Sequence, residues 1–343
     1  MAEQAAETQL DDVGIVAIGR NEGERLRSCL ESARRSCRHV VYVDSGSTDG
    51  STRLALQLGC EVVELDLSTP FTAGRARNEG VERLLRLAPG LAYVQFVDGD
   101  CELAPNWLRV GVEALDRDNR LAVVCGRRRE RYPNATVYNM LCDVEWDTPI
   151  GRVRACGGDA MYRVEAFQRV GGFNPTVIAG EEPELCVRLR KAGWEIERID
   201  AEMTLHDAAM MRFSQWWRRN VRAGHAYAEG YAMHGQPPER HAAKETRSNW
   251  FWGVGLPLVA LGLAWPTHGW TLLALLLYPL QVVRVMRKGL RKGLTDRQAW
   301  AYGASIVLGK FAQAIGQVQF YVHRLLGKKS RIIEYKGTAG GLA

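Results

Sequence analysis

His39-Val40-Val41-Tyr42-Val43-Asp44-Ser45-Gly46-Ser47-Thr48-Asp49-Gly50-Ser51 holds one unit of an α/β fold. Its β-branched and aromatic opening reads as a buried strand. An acid stands at the strand's carboxyl end. The small, polar turn that follows leads into a helical pattern, which Ser47, Thr48 or Asp49 can cap. Similar apolar runs occupy Val13 to Ile18, Glu61 to Leu65, Ala92 to Val97 and Leu121 to Cys125, with helix-patterned segments between them. This alternation predicts an α/β fold on a doubly wound, mostly parallel sheet with right-handed crossovers. Beyond Val153 the expected elements are helices at Glu165 to Val170 and Glu182 to Ala192 and a strand at Glu195 to Ile199.

Ligands of such sheets bind outside the carboxyl ends of the strands. Asp44 is placed there to hydrogen-bond a base or ribose. Its turn lacks the GxGxxG dinucleotide fingerprint and follows the second strand rather than the first. The fourth strand runs into Phe96-Val97-Asp98-Gly99-Asp100-Cys101. In an extended chain residues i and i+2 point the same way, so Asp98 and Asp100 can address one ligand. Two hard oxygen donors suit Mg²⁺ or Mn²⁺ shared with substrate phosphates.

Asn21-Glu22, Val43 to Ser51, Arg75-Ala76-Arg77-Asn78-Glu79-Gly80, Asp98-Gly99-Asp100 and Gly180 to Arg190 occur in an order that resembles a family 2 glycosyltransferase of GT-A fold. The resemblance covers Val13 to about Arg222. It implies an inverting transferase that uses a nucleotide-diphosphate sugar and a divalent cation, Mg²⁺ or Mn²⁺. It places Asn21 and Glu22 beside the nucleoside and Asp44 on the base. Ser45, Arg75 and Asp159 become further donor contacts, Asp98 meets the ribose or metal, and Asp100 the metal. Glu182 falls where the family's general base stands, usually an Asp preceded by Glu. Its extra methylene alters reach and keeps the carboxylate that inversion requires. Glu181 equally suits a helix N-terminus. His206 is similar to a histidine that some members use near the metal, and it is also readable as structural; Asp159 is likewise open to reading as a turn residue. Gln215-Trp216-Trp217-Arg218-Arg219 departs from the QxxRW element of processive members, since Arg219 replaces Trp. These residues and Arg222 also fit an interfacial amphipathic helix.

Composition divides the 343 residues unevenly. From Gln281 to Ala343 twelve Lys/Arg stand against two Asp/Glu, whereas the first 280 residues carry 33 against 37. A mildly acidic body with a basic end argues against nucleic acid as a partner. From Trp250 to Val283, 34 residues lack Asp, Glu, Lys and Arg, broken by Pro266-Thr267-His268-Gly269. A single span needs about 20 apolar residues. The run is long for one helix and short for two, and its turn favours a membrane hairpin. Lys244 and Arg247 precede it; Arg284, Arg287, Lys288, Arg291 and Lys292 follow, so both ends are expected on the cytosolic side. Residues 298–322 are apolar but carry Lys310, Gln313 and Gln317 at helical spacing, which reads as an interfacial helix. The eight scattered cysteines read as reduced core residues, and the polar N-terminus lacks a signal-peptide pattern.

The expected organisation is a polar tail (1–12), a catalytic domain (13–225), a linker (226–249), membrane-associated helices (250–326) and a basic tail (327–343). The expected activity is transfer of a sugar to a glycan or lipid-linked acceptor at the cytosolic face of the inner membrane. A sugar nucleotidyltransferase would open with a Gly-rich basic phosphate loop, absent between Val13 and Arg27. A membrane-anchored scaffold would not need the acids.

Overall fold

The computed structural model describes residues 10–328; most of both tails lies outside them. The body runs β1 (Leu10–Gly19), α1 (Glu24–Ser36), β2 (Cys37–Asp44), α2 (Ser51–Gln57), β3 (Glu61–Glu64), α3 (Ala73–Leu87), β4 (Tyr93–Asp98), β5 (Cys101–Leu103), α4 (Trp107–Arg117), β6 (Leu121–Glu130), α5 (Val137–Trp146), β7 (Gly151–Val153), β8 (Ala160–Arg163), α6 (Val164–Arg169), α7 (Glu181–Lys191), β9 (Glu195–His206) and α8 (Phe213–His234). One sheet orders them β3-β2-β1-β4-β8-β6-β9-β5, with β7 on β9. The β1/β2, β2/β3, β1/β4 and β6/β9 pairs are parallel. Residues Val13 and Ile15 to Ala17 of β1 and Val41 to Val43 of β2 have no exposed surface. Helices cover both faces, which is why these strands read as continuous apolar runs.

Two departures from the sequence expectation build the site. β8 runs antiparallel between β4 and β6, pairing Phe96 with Ala160 and Val124 with Met161. This sets Gly157-Gly158-Asp159 beside the end of β4. Strand β9 does not stop near Ile199. It continues to His206, because β5 pairs with its second half antiparallel, Cys101 opposite His206 and Leu103 opposite Thr204.

The expected domain boundary at 225 falls inside α8, so the catalytic body has no linker there. After α8 come α9 (Ala243–Trp250), a π turn (Phe251–Gly255), α10 (Leu256–Gly262), a 3₁₀ segment (Trp270–Leu276), α11 (Leu277–Arg291) and α12 (Asp296–Leu325). The apolar run folds back on itself: Thr271 Oγ1 donates to the Ala260 carbonyl at 2.9 Å, and Tyr278 Oη to that of Trp252 at 2.5 Å. Trp270–Arg291 is long and apolar enough to cross a membrane.

Helix α12 packs along α8 at close range. A Cβ on Gly316 would strike the Val221 carbonyl oxygen, and one on Gly224 would strike that of Gln313. Here Lys310, Gln313 and Gln317 depart from the interfacial reading, since they turn inward. Lys310 Nζ donates to Asn249 Oδ1 at 2.9 Å, Gln313 Nε2 to Asn220 Oδ1 at 3.1 Å, and Gln317 has no exposed surface. Ile306, Leu308, Ile315, Val318 and Val322 face outward instead. A second apolar cluster joins the two parts: Met140, Val144 and Trp216 from the body meet Leu294 and Tyr302.

Candidate active site

Asp100 and His206 are brought together by the β5/β9 pairing. His206 Nε2 lies 3.1 Å from Asp100 Oδ2, and both side chains are buried. His206 stands edge-on to Trp146, ring centroids 4.5 Å apart. Its buried Nδ1 has no hydrogen-bond partner among the described residues, so packing on Trp146 orients the ring. Two cis ligands each about 2.1 Å from an octahedral Mg²⁺ lie about 3.0 Å apart. The residues present therefore fit a divalent cation in both spacing and donor type.

Asp98 does not join that pair. The strand ends at Asp98 and turns through Gly99-Asp100 before β5, so extended alternation is lost and the two acids part. Potential ligand atoms cluster as Asp100, Cys101 and His206 in one group and Asp98, Cys101 and Asp159 in another. Asp98 Oδ1 accepts from Arg77 Nη2 at 2.9 Å, and Arg128 Nη2 lies 3.5 Å from Oδ2.

Arg77, like Arg128, is a residue that sequence reasoning missed. On α3 it lies in the buried stripe with Ala76, Gly80, Val81 and Leu84, and a charge inside such a stripe was the available signal. Its guanidinium meets Asp98 Oδ1 and Glu181 Oε1 at 2.9 Å and Glu182 Oε1 at 3.0 Å. Burial opposes its charge, but Glu182, Asp98 and Glu181 together hold its pKa above the ordinary value. Glu181 and Glu182 open α7 after Gly180, whose φ of 80° is left-handed. Burial first, then Glu181 and Asp98, push the Glu182 carboxyl up to about 7 against the lowering pull of Arg77. Gly158 forms the wall between these groups. A Cβ there would lie 2.8 Å from Arg77 Nη2 and 3.0 Å from both Asp98 Oδ2 and Glu182 Oε1.

Asp159, expected at the donor, has no exposed surface. Its Oδ1 accepts from the Asp98 N–H at 3.1 Å, and its Oδ2 from Arg128 Nε and Thr204 Oγ1, both at 2.8 Å. It positions Asp98 and Arg128 and presents no exposed surface. Arg128 in turn lies over the Trp146 ring. The site thus gathers Asp98, Asp100, Asp159, Glu181 and Glu182 around two arginines, an excess of negative charge that favours a cation.

The expected nucleoside contacts surround the ends of β1 and β2. Asp44 Oδ1 accepts from Tyr42 Oη at 2.9 Å, and Oδ2 from the N–H groups of Gly46 and Ser47 at 2.9 and 2.7 Å. Asn21 Oδ1 accepts from the Thr48 N–H at 2.7 Å, and the Asn21 N–H donates to Ser47 Oγ at 2.9 Å. Glu22 pairs with Arg25 at 2.8 Å. These groups first build the two loops, leaving the buried Ser45 hydroxyl without a partner among the described residues. Arg75 lies on the side of α3 away from Arg77. It binds Glu79 and the carbonyls of Asp66 and Thr69 at 2.8 to 3.0 Å, since residues two apart on a helix face opposite sides.

Residues 15–171 match Glycosyl transferase family 2, and residues 142–213 match the N-terminal domain of galactosyltransferase. The glycosyltransferase AglE of Haloferax volcanii is 24% identical over 225 residues, 62% of this chain and 71% of that protein. The succinoglycan biosynthesis protein ExoA of Rhizobium meliloti is 27% identical over 195 residues, covering 52% of this chain and 58% of its own. Among solved structures, the mannosyltransferase PcManGT of Pyrobaculum calidifontis, in complex with GDP-mannose and Mn²⁺, superimposes with a TM-score of 0.57. It is 19% identical, over 92% of this chain and 89% of that one. TarS 1–349 of S. aureus with UDP gives 0.50 at 13% identity, over 96% and 97%. Family match and structural likeness agree: this chain is a glycosyltransferase of GT-A fold, matching Glycosyl transferase family 2 over residues 15–171.

Proposed function

We propose that the protein transfers one sugar, with inversion, from a nucleotide-diphosphate sugar to a lipid-linked or other glycan acceptor at the cytosolic face of the inner membrane. The observation that carries the chemistry is Glu182, a carboxyl poised at about 7 and held at 3.0 Å by Arg77. A base near neutrality accepts the acceptor hydroxyl's proton as its oxygen attacks the anomeric carbon from the face opposite the diphosphate. Asp100 and His206 are the residues that would hold a divalent cation, and Asp98 is left to the donor's ribose. Bound there, the cation offsets charge developing on the departing diphosphate. The loops around Asn21, Glu22, Asp44 and Ser45 form the nucleoside wall.

Support for a membrane-borne acceptor comes from the short path between base and helical region. Gly180, at the N-terminus of α7, abuts Ala226 of α8, and α8 packs directly on α12. One helix, α8, lies between α7 and α12, whose far side carries the outward apolar residues. The test is a thermal-shift panel of nucleotide diphosphates and nucleotide sugars with Mn²⁺, followed by turnover of Glu182→Gln. A stabilising nucleotide and a folded, inactive variant are expected. No shift with any nucleotide, or full turnover by Glu182→Gln, refutes the reading.

A further inference from the structure

Helix α11 changes character within one turn. Toward its N-terminus and in the 3₁₀ segment before it, Leu272, Leu273, Leu276, Leu277 and Leu280 are exposed. From Arg284 to Arg291 the exposed residues, apart from Leu290, are Arg284, Arg287, Lys288 and Arg291. Their spacing of i, i+3, i+4 and i+7 puts all four on one helical face. The opposite face, Val285 and Gly289, is buried, Gly289 against Ala299 and Tyr302. None of the four makes an ion pair within 4.0 Å among the described residues. Like charges at this spacing repel one another in water, so the stripe lacks the compensation that the arginines of the catalytic site possess.

We infer that this stripe binds anionic phospholipid headgroups and fixes how deep the apolar hairpin sits. The inference rests on the membrane reading above. From Trp270 to Val283 the outward arm holds seven 3₁₀ and seven α-helical residues, about 24 Å at about 2.0 and 1.5 Å per residue. That uncharged part falls short of a hydrocarbon core of about 30 Å, which the helix matches only if its charged end to Arg291 is counted. The hairpin dips into the bilayer from one side, with Trp265 and Trp270, 92% and 74% exposed, at its tip. The stripe begins where the uncharged part of the second arm ends, at the boundary between apolar surface and charge. Cationic side chains at that boundary meet lipid phosphates, and each contributes severalfold to partitioning onto an anionic surface.

The test is vesicle flotation of the full chain, with phosphatidylcholine vesicles and with vesicles partly replaced by phosphatidylglycerol. The expected result is a preference of at least about tenfold for the anionic vesicles, weakened by salt. The combined variant Arg284→Gln, Arg287→Gln, Lys288→Gln and Arg291→Gln should lose the preference while keeping binding to phosphatidylcholine and its melting temperature. A preference that survives the variant, or none in the unmodified chain, overturns the headgroup site and leaves the membrane reading standing. Failure to bind either vesicle overturns both. Binding of a short RNA with the same dependence on the four residues would make the stripe a nucleic-acid surface and also overturn the proposal.

Discussion

The catalytic pocket and the helical region place polar groups by opposite logic. In the pocket, charge is drawn inward and satisfied by other charge: Arg77 is 2% exposed and meets three carboxylates, and Asp159 is sealed by Arg128 and Thr204. In the helical region the interior is small or hydrogen-bonded, with Gly224, Gly316, Gln313 and Lys310 at the seams, while leucines and tryptophans face outward. The difference matches the surroundings proposed above for each part. A pocket that receives a charged donor needs prearranged charge. A surface of helices in lipid gains nothing by burying apolar groups and instead packs through small residues and polar contacts.

The sharpest way to break this contrast is to remove the proposed base, Glu182. Glu182→Gln should lower kcat by about 10²-fold to 10⁴-fold with donor binding retained, measured by steady-state kinetics and nucleotide thermal shift. Gly158→Ala tests whether the charges need their spacing. Its methyl would push apart Arg77, Asp98 and Glu182, and a displacement of about 1 Å costs about 10²-fold in rate. The pH profile of kcat/KM should rise with pH and level off above about 7, since Glu182 acts only when deprotonated. Because its folded-state pKa is raised, the native state gives up stability as pH climbs through about 7. The melting temperature of Glu182→Gln should therefore exceed that of the unmodified chain at pH 8, with a smaller gap at pH 6.

The helical side is tested by two smaller effects. Gly316→Leu forces α12 off α8, and overpacking of this kind costs about 1–3 kcal/mol, read as a lower melting temperature in detergent. Leu273→Ser, on the outward face, should change folding stability by less than about 0.5 kcal/mol while weakening vesicle binding. If Leu273→Ser destabilised the fold as much as Gly316→Leu, the outward face would be a protein core in disguise.

Much of the fold was legible because long strands such as β1, β2 and β4 are continuous apolar runs buried on both faces. The strands missed, β5, β7 and β8, have three or four residues, too few to show a period. Among the candidate site residues, Asp100 could be named from residue type and place, and Glu182 and His206 through the family resemblance. Arg77 and Arg128 were passed over because an arginine in sequence looks solvated, and only burial shows that these two are not.

Sequence alone determined the alternating α/β architecture, the acids that follow β2 and β4, and the apolar run with its basic flank, since each is written in local pattern and composition. Tertiary structure decided who meets whom. The β5/β9 pairing delivers His206 to Asp100, the turn at Gly99 parts Asp98 from Asp100, and the insertion of β8 turns Asp159 into a buried support. It also turned Lys310, Gln313 and Gln317 inward, because α12 had a partner helix to satisfy them. Each of these is a contact between residues far apart in the chain, and no local periodicity encodes which distant strand or helix will be the neighbour.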